Sequence, residues 1–275
     1  MTYPLLVQLD NAGIDFTCFG HPWVSDIFSA TRFSVIGSPQ IREHLHMCRQ
    51  YRQGSFTHVI LWPSSFSALI PTKLANVSSV GQHFMCSERV RQDAERHRVE
   101  QYHDLGRSFF GNDDTKQIPQ DFIPLSDLSC QKAKGVLKAH FDGPFVVFCP
   151  FATNLHQGQN KEWPHWRHFV SDYRDKPLLG LVAPQDVARF KKEFPGTPVI
   201  SESLSVTAAI MREADHVVTN DSGAMHLASF FGAQVLGLLG VTNALETRPW
   251  HGHHLTSVEG KWATCRDVID HLSLS

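Results

Sequence analysis

The sequence predicts an α/β protein of two Rossmann-like halves, and three observations carry that prediction. The chain has 275 residues, which at roughly 150 per domain suits two α/β domains or one large barrel. From residue 146 to residue 239, apolar runs of strand length alternate with helix-spaced segments across short connections. Parallel strands joined by right-handed crossovers are the economical way to bury both faces of such runs. Finally, hydrophobic residues make up 42% and charged residues 19%, enough apolar material for a sizeable core and too much for disorder.

In chain order, residues 5–11 read as a helix entered through Thr2-Tyr3-Pro4, proline being suited to a first helical turn. An α/β domain normally opens with a strand, so the sheet of this half is expected to be interrupted, with ladder groups and apolar surface exposed. Residues 16–19 and 33–36 read as strands, and 22–28 and 41–50 as helices. Residues 58–61 form a strand running into Pro63-Ser64-Ser65, followed by a helix over 66–74. Residues 89–106 read as a long polar helix, 111–117 as a loop and 132–140 as a last helix. The turn Asp142-Gly143-Pro144 then sets the junction, giving domains of 1–142 and 143–275. In the second, strands over 146–149, 178–182, 197–200, 216–219 and 234–239 alternate with helices over 163–173, 187–194, 206–212 and 225–231.

Several function classes are excluded by charge and composition. A net charge of −2 with no long basic run gives no general electrostatic grip on nucleic acid or anionic lipid. Six cysteines, none in a C-x-x-C pair, read as reduced structural thiols of a cytoplasmic protein. Residues 1–9 lack the pattern of an export signal, and the longest apolar run, 235–241, is far short of a membrane span. Among the 17 histidines only His251, His253 and His254 cluster, and they read as a solvated loop rather than a metal site. No G-x-G-x-x-G occurs, which disfavours a dinucleotide-dependent dehydrogenase.

Two segments carry chemistry. In His216-Val217-Val218-Thr219-Asn220-Asp221-Ser222-Gly223-Ala224-Met225-His226, a buried strand ends in small polar residues and opens a helix. Free backbone N–H groups and the positive end of the helix dipole would point at the carboxyl edge of the sheet. The segment is either a phosphate site, with Asp221, Ser222, Gly223, Ala224 and His226 as its residues, or simply a capped helix start. In the second, Cys149-Pro150-Phe151-Ala152-Thr153-Asn154 ends a strand, and Lys161-Glu162-Trp163-Pro164 precedes a helix. Lys161 is either a point charge for a phosphate beside Thr153 and Asn154 or a solvated loop lysine. Ser64 and Ser65 stand in a similar strand-to-helix turn in the first half, as ligand-binding hydroxyls or helix caps.

The string from Thr219 to Ala228, with Gly240-Val241-Thr242 after the next strand, resembles the signature of glycosyltransferase family nine, the heptosyltransferases of lipopolysaccharide core assembly. Phe148-Cys149-Pro150, Lys161-Glu162-Trp163-Pro164 and the run from Leu61 to Pro71 are similar to that family too, particularly to its type II members. The resemblance implies a GT-B fold, two Rossmann-like domains facing across a cleft. It implies an inverting transfer of heptose from an ADP-activated donor to the lipopolysaccharide inner core, with no cofactor and no metal. The absence of a D-x-D triplet agrees with that. The second domain would bind the nucleotide-sugar through Lys161, Asp221, Ser222, Gly223, Ala224, His226, Thr153 and Asn154, with Lys161 neutralising the departing diphosphate. The first would take the acceptor, with Ser64 and Ser65 on that side, at the cytoplasmic face of the inner membrane. No nucleic acid is implied.

Two departures from the family accompany this. Extra residues lie between Asn154 and Lys161. The family's general base, an aspartate after a first strand, falls upstream of the segment matched by residues 1–6. Asp10, Asp15 and Asp26 have ordinary surface or cap readings as substitutes, so the alternative is a catalytically silent homologue that binds the nucleotide-sugar or a partner.

Overall fold

A computed structural model describes residues 1–110, 117–258 and 260–274. The loop expected over residues 111–117 lies, apart from Gln117, outside the described residues. The chain divides into two compact units, residues 1–121 and 122–275.

The first unit runs α1 (Tyr3–Asn11), β1 (Thr17–Gly20), α2 (Trp23–Ile27), β2 (Ser34–Gly37), α3 (His44–Gln53), β3 (His58–Leu61), α4 (Phe66–Ala75), β4 (Ser78–Gly81), β5 (Glu88–Arg89) and α5 (Arg98–Asp104). All its strand pairs are parallel, in two separate sheets, β1-β2 and β3-β4-β5. Both sheets lean on one apolar cluster of Leu5, Leu6, Leu9, Leu105 and Phe110, against which Cys18 of β1 and Ile60 of β3 pack. Among the described residues no ladder joins the two sheets.

The long helix expected over residues 89–106 is a correction. Arg89 ends β5, and regular helix begins only at Arg98, behind a capping box. The His97 ring accepts from Val99 N–H at 3.2 Å, and Glu100 accepts from His97 N–H at 3.2 Å. That reciprocal pair satisfies the free donors of the first turn and fixes where the helix starts.

The second unit runs α6 (Asp127–Lys138), β6 (Val146–Cys149), α7 (Trp166–Asp172), β7 (Leu178–Leu181), α8 (Val187–Glu193), β8 (Val199–Ile200), α9 (Leu204–Glu213), β9 (His216–Asn220), α10 (Gly223–Phe230), β10 (Val235–Leu239), α11 (Ala244–Thr247), β11 (His253–Thr256) and α12 (Cys265–Leu274). Its unit boundary falls earlier than the turn at residue 142. Ile123 N–H donates to Phe230 O at 2.8 Å, and α6 packs on α9 with Ser129 Oγ donating to Ser205 Oγ at 3.1 Å. These contacts draw the segment ahead of Asp142 into the second unit.

The six parallel strands lie in the order β11-β10-β9-β6-β7-β8. Every residue of β6, β9 and β10 is buried, which is why β6 and β10 read as continuous apolar runs and β9 carries Val217-Val218 at its centre. Phe148, Trp163, Trp166, Phe169 and Phe190 fill one face of the sheet, and Gly180 lets the Phe190 ring approach to where a Cβ would stand 2.1 Å away. The apolar runs of the sequence end at β10. His253–Thr256 adds an edge strand, so His253 and His254 belong to the sheet and not to a loop. His251 N–H donates to Ser229 Oγ at 2.8 Å.

Burial holds His103, His216, His251, His254 and His271 below the ordinary histidine range. Such a ring is neutral when folded and protonates on unfolding below about pH 6.5. Its contribution to stability is present above that pH and lost as pH falls toward the folded value. The thermal midpoint is therefore expected to drop between pH 7.5 and about 5.5, before carboxylates of ordinary pKa titrate. A flat midpoint across that window would show that these rings are solvated.

Candidate functional site

The strand order sets the place of the site. From β6 the chain winds outward through β7 and β8, then returns to the other side of β6 and continues through β9, β10 and β11. The reversal lies between β6 and β9, and the crevice beyond the carboxyl ends of such a pair is where open α/β sheets bind ligands. Both chemistry-bearing segments leave from those two strands. Pro150 to Asn154 follow β6, and Asp221 and Ser222 join β9 to α10.

There the structure brings Lys161 and Asp221 together, with Lys161 Nζ 3.1 Å from Asp221 Oδ2. The side chains are 17% and 4% exposed, so the pair is shielded from water. Thr247 Oγ1 of α11 donates to the same Asp221 oxygen at 3.2 Å, and His226 Nε2 lies 4.0 Å from the other. Asp221 is thus an oriented carboxylate at the amino end of α10, between a cation and an imidazole. Ser222 is the N-cap residue but makes no side-chain cap, and its buried Oγ has no partner among the described residues. A Cβ built on Gly223 would meet no atom within 4 Å, so the space beside the first turn of α10 is open. Exposed N–H groups, an uncommitted hydroxyl and a lysine form an anion site in physical terms.

Asn220 holds this edge in register, a role the sequence reading did not assign. Its side chain is fully buried and makes four hydrogen bonds. Oδ1 accepts from Trp163 N–H at 2.8 Å and from Trp166 Nε1 at 3.1 Å, while Nδ2 donates to Pro150 O at 2.7 Å and Cys149 O at 3.4 Å. One amide ties the end of β6 and the entrance of α7 to the end of β9. The sequence signal is a polar side chain at the end of a buried strand, which must find partners. Thr247 carried no such signal, since its contact with Asp221 depends on how α11 folds back.

Thr153 and Asn154 lie at the same strand end but are exposed. The extra residues beyond them form a tight hairpin, with His156 and Gln159 exchanging backbone hydrogen bonds across Gln157 and Gly158, both at positive φ. In the first unit, Ser65 accepts from Ala68 N–H at 3.4 Å as the N-cap of α4, and Ser64 beside it is exposed. Asp10 pairs with Arg32 at 2.5 Å. Among the described residues no helix is long and apolar enough to cross a membrane.

Residues 44–268 match glycosyltransferase family 9 (heptosyltransferase). Lipooligosaccharide heptosyltransferase 2 of Haemophilus influenzae is 26% identical over 124 aligned residues, which cover 38% of this chain and 34% of that relative. The fold is similar to that of E. coli ADP-heptose lipopolysaccharide heptosyltransferase II, with a TM-score of 0.78 at 17% identity over 99% of this chain and 93% of the other. It is also similar to that of E. coli heptosyltransferase WaaC with ADP, with a TM-score of 0.73 at 20% identity over 99% and 94%. Those are likenesses of fold, and the fold they share is GT-B. The family match takes in more than half of the sequence, including every residue of the site just described, and the chain belongs to glycosyltransferase family 9.

Proposed function

We propose that the protein transfers a heptose, or a related sugar, from an ADP-activated donor to a hydroxyl of the lipopolysaccharide inner core. The transfer inverts the anomeric centre, needs no chelated metal and takes place at the cytoplasmic face of the inner membrane. The observation that carries the reading is the shielded Lys161–Asp221 pair at the amino end of α10, on the reversal point of the sheet. Family membership supports it. So does the fold's likeness to a heptosyltransferase solved with ADP and with ADP-2-deoxy-2-fluoro heptose.

In this reading the diphosphate lies against the N–H groups of Gly223 and Ala224 and the Ser222 hydroxyl. Lys161 sits between it and the Asp221 carboxylate, which would otherwise repel it. Asp221 and His226 face the sugar hydroxyls, and Thr153 and Asn154 border the same mouth. An acceptor hydroxyl attacks the anomeric carbon opposite the diphosphate, the carbon–oxygen bond to phosphate breaks, and the acceptor proton passes to a base. Negative charge grows on the leaving phosphate, where fixed donors stabilise the transition state more than the ground state. Ser64 and Ser65 stand on the acceptor side, in the first unit.

The test is incubation with ADP-heptose and a heptose-deficient lipopolysaccharide core in the presence of EDTA. The expected result is ADP released in step with a core extended by one heptose, with inverted configuration by NMR. Retained configuration would overturn the single displacement. Tight binding of ADP-heptose without transfer would favour the silent homologue instead.

A further inference from the structure

Glu162 and Arg189 form a second charged unit beside the site, and it touches none of the groups assigned to the donor. Arg189 of α8 grips Glu162 in a fork, with Nη1 to Oε1 at 2.8 Å and Nη2 to Oε2 at 2.7 Å. Its guanidinium lies 4.0 Å from the centre of the Phe151 ring, and its Nε donates to Glu193 at 2.7 Å. The Glu162 carboxylate also accepts from Ala152 N–H at 3.2 Å, and Glu162 N–H donates to Asn160 Oδ1 at 3.0 Å. Burial pushes the Glu162 carboxyl up, but the Arg189 fork and the Ala152 N–H outweigh it and hold it below the usual carboxylate range. The carboxylate is committed to the fork and to the Ala152 N–H, and the lowering makes it a weak base.

The placement of these contacts gives them a purpose. Ala152 directly precedes Thr153, and Glu162 directly follows Lys161. One carboxylate thus closes the neck of the exposed segment that carries Thr153, Asn154 and the hairpin, and fixes the backbone next to Lys161. On the other side Trp163 is pinned by Asn220 through its N–H and by Ala263 O through its ring N–H at 2.7 Å. Lysine has a long flexible stem and makes a point contact, so where its ammonium reaches depends on how firmly its backbone is held. A loop closed at its neck also pays less ordering entropy when a ligand binds.

We propose that the Glu162–Arg189 pair is a positioning clasp that presents Lys161 and the Thr153-Asn154 edge to the donor diphosphate. The inference rests on the donor reading above. It makes Arg189 a positioning residue, acting through Glu162 at a distance from the ligand. A bidentate fork also predicts that lysine is a poor replacement, because an ammonium cannot span both carboxylate oxygens.

The experiment compares the affinities of ADP and AMP for the wild-type protein and for Lys161→Ala, Arg189→Leu and Arg189→Lys, with thermal midpoints measured alongside. Only the second phosphate distinguishes the two ligands, so a general loss of packing would weaken both alike. The expected result is that Arg189→Leu lowers the ADP-over-AMP preference several-fold, toward the Lys161→Ala value, and that Arg189→Lys recovers only part of it. Should Arg189→Leu fail to fold, Arg189→Lys alone decides by the same ratio. An unchanged ratio in the Arg189 variants, with a reduced one in Lys161→Ala, would overturn the clasp and leave the donor reading intact. An unchanged ratio in Lys161→Ala would overturn the donor reading, and the clasp with it.

Discussion

Lys161→Ala is expected to weaken ADP binding on the order of 10- to 100-fold, the equivalent of about 1.5–3 kcal/mol for a charge-assisted hydrogen bond. The geometry puts the estimate toward the upper end. Lys161 is largely shielded and already oriented by Asp221 at 3.1 Å, so little side-chain entropy remains to be lost when an anion arrives. The salt dependence of ADP binding should shrink in the same variant, because one of the charges attracting the diphosphate is gone. Asp221→Ala is expected to weaken binding of the whole nucleotide-sugar by a comparable factor, since Asp221 both aims Lys161 and faces the sugar hydroxyls. Calorimetric titration of both variants is the check, and unchanged affinity in both would sink the assignment of the donor site. Part of any Lys161→Ala effect will appear as lost stability, because the nearly buried Asp221 carboxylate loses its lysine partner and is left beside Thr247 and His226. Measuring the thermal midpoint without ligand separates the two contributions.

The parts of the molecule that could be read from sequence share a physical property: they are buried on both faces or repeat at a fixed period. β6, β9 and β10 have no exposed residue, and their apolar runs locate them to within a residue or two. β4 is Ser78–Gly81 with a single branched apolar residue, and β11 is His253–Thr256 at a sheet edge, so neither has a run to detect. The long helix expected over residues 89–106 failed because polarity was read as a solvated helix face, whereas the start of α5 is decided by the cap at His97. At the site, Lys161 and Asp221 were legible singly, as residues at strand ends. Their 3.1 Å approach was not, because they stand 60 positions apart in the chain and the order of the strands brings them together. Glu162 and Arg189 are further from legibility still. Nothing in the spacing of a glutamate and an arginine on separate elements marks a fork, and a surface ion pair would look the same in sequence.

Asn220→Ala is expected to be among the most destabilising single changes in the second unit, roughly 3–5 kcal/mol. The alanine would leave Pro150 O and two N–H groups, Trp163 N and Trp166 Nε1, without their Asn220 partner, and would remove the longer contact to Cys149 O, which the β6–β9 ladder still pairs. Each unpaired buried group costs about 1–3 kcal/mol, and the three will not add fully because relaxation at one frees others. A loss of that size should lower the thermal midpoint by roughly 10 °C in a domain of this length. The same amide joins the end of β6 to the entrance of α7 and sits directly before Asp221, so the variant should also bind ADP more weakly at temperatures where it remains folded. Both tryptophans would lose an anchor, and near-ultraviolet circular dichroism should record looser packing around Trp163 and Trp166 before global unfolding. A drop in the midpoint with wild-type ADP affinity would confine Asn220 to holding the core. A midpoint within about 1 °C of wild type would mean that these groups find other partners. The register of the sheet edge, and with it the placing of Lys161 against Asp221, would then have to come from Trp163 packing alone.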